Sequence, residues 1–66
     1  MSLDDAIAAF AAARTEPRYS KQLRKHMCNR AAGRLLETLM QYEADGMIGD
    51  DTFLNNLAAI ADYLKE

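Results

Sequence analysis

Apolar residues fall into three stretches, each with helical spacing. In the first, Leu3, Ile7 and Phe10 recur at four- and three-residue intervals, padded by six alanines between Ala6 and Ala13. Ser2 suits an N-cap, with Asp5 three residues on as a shortened capping box. Asp4 and Asp5 also suit the positive end of a helix dipole. These features predict a helix over Leu3 to Arg14, stopped near Thr15 because Pro17 disfavours helical geometry at Glu16. Pro17 can itself open the next helix, and Ser20 is a rival N-cap one turn later. The short connection makes the first two helices antiparallel neighbours.

The second stretch, Pro17 to Asp45, changes face midway. At about 100° per residue, Tyr19, Leu23, Met27 and Ala31 share one side, opposite Arg18, Lys21, Lys25 and Asn29. Beyond Gly33, the apolar residues Leu35, Leu36, Leu39, Met40 and Tyr42 fall where the basic side had been. The predicted buried face therefore rotates by about half a turn around Asn29–Gly33. Either the helix bends near Gly33, or one continuous helix packs the first helix on one side and the third on the other. A mid-helix glycine costs only about 1 kcal/mol against alanine, which favours the continuous or mildly bent form. On that reading a lone chain has an incomplete core that a second copy closes.

Asp45-Gly46 supplies a left-handed helix stop, and Gly49-Asp50-Asp51-Thr52 a new start with aspartate caps. Met47 and Ile48 are expected to tuck under the turn. A third helix over Asp51 to Lys65 follows, with Phe53, Leu57, Ile60, Ala61 and Leu64 on one face, the cleanest amphipathic pattern in the chain. The spacing of Gly46, Ile48 and Phe53 after a leucine-rich helix resembles the helical hairpin of short C-terminal oligomerisation domains (SHOCT). The likeness extends over three positions, a shared way of turning between helices. The expected fold is all-α: one small helical domain over residues 1–66, with three helices, a long central one, and a helical bundle completed as a homodimer. Leu35, Leu39, Tyr42, Phe53, Leu57 and Leu64 are assigned to core and subunit contact.

Length sharpens the need for a partner copy. A chain of 66 residues buries only about 60% of the surface its unfolded form exposes and is marginal alone. Such scaffolds rely on disulfides, a metal or self-association. With one cysteine, Cys28, and one histidine, His26, the chain has neither an internal disulfide nor the ligands of a structural zinc site. No apolar run reaches the roughly 20 residues of a membrane span, and the N-terminus carries aspartates where a signal peptide carries lysine or arginine. The expected setting is soluble and cytoplasmic.

The net charge of −2 conceals a strong segregation. Arg14 to Arg34 sums to +6 and Leu35 to Glu66 to −6, with Asp4 and Asp5 supplying the remainder. Such asymmetry points to a polar partner or to head-to-tail complementarity, against the simpler reading of a solvated helix surface. Catalytic chemistry finds little support. His26 and Cys28 are two apart, about 200° around a helix, so they cannot act as a base and nucleophile within one chain. The acids Glu43, Asp45, Asp50 and Asp51 lack the alternating ligands of a calcium loop. No cofactor or metal is expected, and the chain reads as non-enzymatic.

The reading this supports is a small regulatory or interaction protein, of adaptor or inhibitor type. It would bind itself and a protein partner with an acidic surface, through the basic row Arg18, Lys21 and Lys25. The alternative is a nucleic-acid-binding regulator using the same row, and a third is a pure assembly module.

Overall fold

The computed structural model describes all 66 residues as three helices and no strands. They are α1 (Leu3–Thr15), α2 (Lys21–Ala44) and α3 (Asp50–Lys65). Ser2 caps α1, accepting from the Asp5 amide at 3.1 Å. Of the two candidate starts for the second helix, Ser20 is the cap, accepting from the Leu23 amide at 3.1 Å. Pro17 and Arg18 thus belong to the connecting turn. At the far end, Gly46 takes φ 69°, its amide donates to the Glu43 carbonyl and the Met47 amide donates to the Tyr42 carbonyl. That pair of bonds is a Schellman closure, which only a residue tolerant of positive φ completes without strain. The cap of α3 is Gly49, not an aspartate. Asp50 and Asp51 instead occupy the first turn, where they favour the dipole.

Gly33 lies inside an uninterrupted helix, and the buried face does not rotate around it. Cys28, Ala32, Leu35 and Leu39 are the buried residues of α2, at i, i+4, i+7 and i+11, one continuous stripe. The predicted N-terminal face is corrected accordingly. Leu23 is 43% exposed, while Tyr19, Met27 and Ala31 are only half-buried. The physical reason is direction. α1 and α3 approach α2 along the Cys28–Leu39 stripe, and at about 100° per residue Leu23 lies about 150° around the helix from it.

Leu3, Ala6 and Phe10 of α1 and Ile60 of α3 converge on Ala32, Leu35 and Leu39 as one core. Ile7, Ala31, Tyr42, Ile48, Phe53, Leu57 and Tyr63 pack around it, half-buried. Of the residues assigned to core and subunit contact, Leu35 and Leu39 are buried, and Tyr42, Phe53 and Leu57 pack at the core's margin. Leu64 is not in the core, at 69% exposed, and Met47 does not tuck under its turn. Cys28 is buried, its thiol free.

α1 and α3 both rest on α2, yet no Cα of one lies within 8 Å of the other. They meet through side chains alone, the Phe10 and Tyr63 rings stacking edge-to-face at 5.5 Å. The result is a flat molecule, 38 × 23 × 14 Å. No helix is long and apolar enough to cross a membrane.

The single stripe makes a testable contrast. Leu39→Ala should destabilise the chain by about 3 kcal/mol, enough to unfold much of so small a domain. Leu23→Ala should change stability by less than about 0.5 kcal/mol. Urea denaturation followed by circular dichroism distinguishes them, and equal losses would restore the rotated face.

Candidate functional site

The antiparallel packing brings the C-terminal ends of α1 and α3 alongside the N-terminal half of α2. Between them opens a cleft of about 490 Å³, lined by Arg14, Lys21, Arg24, Lys25, Cys28, Asn29, Tyr63, Leu64 and Glu66. Four of its side chains are basic and one is acidic.

These cations are not equivalent. Arg14 is held on three sides. Its guanidinium pairs with Glu66 and lies 5.6 Å from the Phe10 ring centre and 5.7 Å from that of Tyr63, a cation–π placement for both rings. Arg24 is half-buried and donates to the Arg14 carbonyl at 2.9 Å and to the Tyr19 carbonyl at 3.4 Å. It therefore satisfies one carbonyl that the end of α1 leaves without a helical partner and one in the connecting turn. Lys21 and Lys25 are exposed and make no ion pair or side-chain hydrogen bond.

Lys21 is the first residue of α2, whose first turn holds no acid. Cations there oppose the helix dipole, which costs about 0.3–1 kcal/mol each when exposed. The carbonyl ends of α1 and α3 offset part of that cost. A local rule broken without an internal partner is a mark of a surface shaped for something else.

The basic row is therefore redrawn. Lys21 and Lys25 line the cleft, but Arg18 leaves it for the turn. There Arg18 binds Glu16 through its Nε at 2.7 Å and its backbone amide at 3.1 Å. These bonds hold the Glu16 carboxyl below the usual range and the Arg18 guanidinium above its own. Arg30 and Arg34 form no ion pair with Asp4 or Asp5. His26 is exposed, and no cluster of three metal-ligating side chains is present.

Tyr63 ties the site together. Its hydroxyl donates to Asn29 Oδ1 at 2.6 Å, with the Lys25 carbonyl at 3.4 Å. Burial pushes its pKa up, Cys28 and Glu66 push the same way, and Arg14 opposes them. The role of Arg24 had a signal in the sequence: it stands four residues before Cys28, on the same stripe as Leu35 and Leu39. The role of Tyr63 had none, because it depends on where α3 ends against α2. Set against protein-family models, curated proteins and solved structures, the chain matches none.

A raised Tyr63 pKa means that the fold favours the neutral hydroxyl. Its contribution is complete below about pH 10 and is lost as pH rises through the folded value. Tyr63→Phe should lower stability by about 1 kcal/mol at neutral pH and reduce the alkaline decline. Urea denaturation across pH measures both effects. Tyrosinate absorbance should show a late-titrating phenol in the parent that the variant loses.

Proposed function

We propose that this chain is a non-enzymatic interaction protein that self-associates and presents its basic cleft to an acidic surface on a protein partner. One observation carries the reading: Lys21 and Lys25 stand free at the mouth of a cleft whose other cations, Arg14 and Arg24, are occupied in holding it together. An acidic partner would relieve the unfavourable placement of charge at the start of α2 and gain two charge-assisted contacts. Regulation or inhibition by occlusion is the role such a binder performs, since nothing in the site supplies a nucleophile with its base. Tyr63 already spends its ring on Phe10 and Arg14 and its hydroxyl on Asn29, so it offers no free platform on which a nucleic-acid base could stack. The acidic balance of the whole chain, pI 5.2, also opposes phosphate binding by the surface at large.

The test uses the full chain as bait in an extract of its own cells, beside Lys21→Glu/Lys25→Glu. A stoichiometric protein complex, weakened at least roughly tenfold in the variant, is the expected result. A parallel titration with duplex DNA and single-stranded RNA at low salt tests the alternative. Binding to either that falls steeply with salt and vanishes in the variant would replace the protein partner with nucleic acid. Absence of both complexes would leave an assembly module and overturn the reading.

A further inference from the structure

The outer edge of the α2–α3 pair carries an apolar groove that the chain does not fill. Asn29, Ala32, Gly33, Leu36, Ile60 and Leu64 line a space of about 260 Å³. Leu36, Met40 and Leu64 are 36%, 57% and 69% exposed. On α2 the groove follows Asn29, Gly33 and Leu36, and exposed Met40 continues the line beyond it, in steps of four, three and four residues that keep to one side of a helix.

That side has a charged residue at each end. Lys25 and Glu43 are eighteen residues apart, five whole turns, so they share its direction at opposite signs, about 27 Å apart along the axis. The rest of the molecule repeats the polarity. Asp50 and Asp51 start α3 beside the end where α2 finishes in Glu43 and Asp45, and Asp4 and Asp5 start α1 at its end away from the basic one. Arg14, Lys21, Arg24 and Lys25 gather at the other end.

We infer that the groove is covered by a second copy of this chain, face to face and antiparallel, with Lys25 of each copy beside Glu43 of the other. This rests on the self-association proposed above and specifies its surface and direction. Two further observations support a second copy as occupant. The accessible surface is 4740 Å², whereas a monomer of this mass carries about 4,200 Å². The excess, about 540 Å², is roughly two-thirds of the area one partner contributes to a standard interface, about 800 Å². Gly33 also has no reason within the chain, since a Cβ there would meet nothing within 4 Å. An exposed helical glycine costs about 1 kcal/mol against alanine, and it lets a facing helix approach closely.

Charge decides the direction. A two-fold axis lying along the chain's length would stack acidic end on acidic end and basic on basic. An axis crossing that length sets each acidic end against a basic one, with Gly33 and Leu36 near the centre.

Light scattering and sedimentation on the full chain test this, with circular dichroism as the folding control. The expected state is a dimer. Leu36→Glu, at a position exposed in the single chain, should keep its helicity and weaken the dimer by about a hundredfold or more. Lys25→Glu and Glu43→Lys should each weaken it roughly tenfold, and the double reversal should restore it. A monomeric parent would overturn both the self-association and this inference. A dimer unmoved by Leu36→Glu would overturn the surface alone. Single reversals without effect, or a double reversal without rescue, would overturn the antiparallel direction.

Discussion

Leu35 and Leu39 are almost wholly removed from water because two helices approach α2 over the same stripe. Neither neighbour buries the other's backbone. α1 contributes Leu3, Ala6 and Phe10, and α3 contributes Ile60, so each reaches the core only through α2. The stripe is narrow because its N-terminal members, Cys28 and Ala32, are small. Small residues allow close approach but little burial, at about 25 cal/mol per Å² of apolar surface. Two leucines therefore carry a disproportionate share of the stability. The rest is added by end devices: the Ser2 and Ser20 caps, the Gly46 closure and the Tyr63 junction.

The Tyr63 junction connects packing to charge. Phe10 and Tyr63 form the bridge between helices whose backbones stay apart, and Arg14 lies against both rings while reaching Glu66. Arg24 ties the same region to the carbonyl end of α1. The cations that look most like a binding surface in the sequence thus divide into two kinds. Arg14 and Arg24 position the cleft, and Lys21 and Lys25 are left over at its rim. An ion pair as exposed as Arg18–Glu16 contributes little to stability. Its effect is to remove Arg18 from the pool of free charge.

The elements were legible because their signals are local. Helix ends were marked by Ser2, Ser20, Pro17 and Gly46, each through its own backbone or side-chain chemistry. The face of α3 was legible as far as Ile60, but in the last turn Tyr63 packs on the core while Ala61 and Leu64 are exposed. The face of α2 was not legible. Leu23 and Met27 outweigh Cys28 and Ala32 in hydrophobicity, so a count of apolar positions chooses the wrong side of the first four turns. Extending the stripe backwards from Leu39 and Leu35 by steps of three and four gives Ala32, Cys28 and Arg24, the observed line. What obscured it was the arginine at its end, which is half-buried because it caps another helix. The cleft was legible only as a charge run, since its shape depends on where α1 and α3 stop relative to α2.

The charge run itself follows from that unequal length. Two short helices lying antiparallel to a long one place both of their carbonyl ends beside its start and point both of their amide ends towards its finish. Acids at the starts of α1 and α3 and cations at the start of α2 then produce a molecule with opposite ends, even though its net charge is small. Such a molecule has favourable contacts available along its length only in antiparallel register or with an oppositely charged partner. Lys25 belongs to both surfaces, at the rim of the cleft and at the end of the apolar groove. Under the proposed pairing, an acidic partner and Glu43 of a second copy draw on the same cation. By reciprocity, whatever affinity one association loses to the other is lost equally in return. Lys21, one turn earlier and further around the helix, is the charge that the cleft keeps for itself.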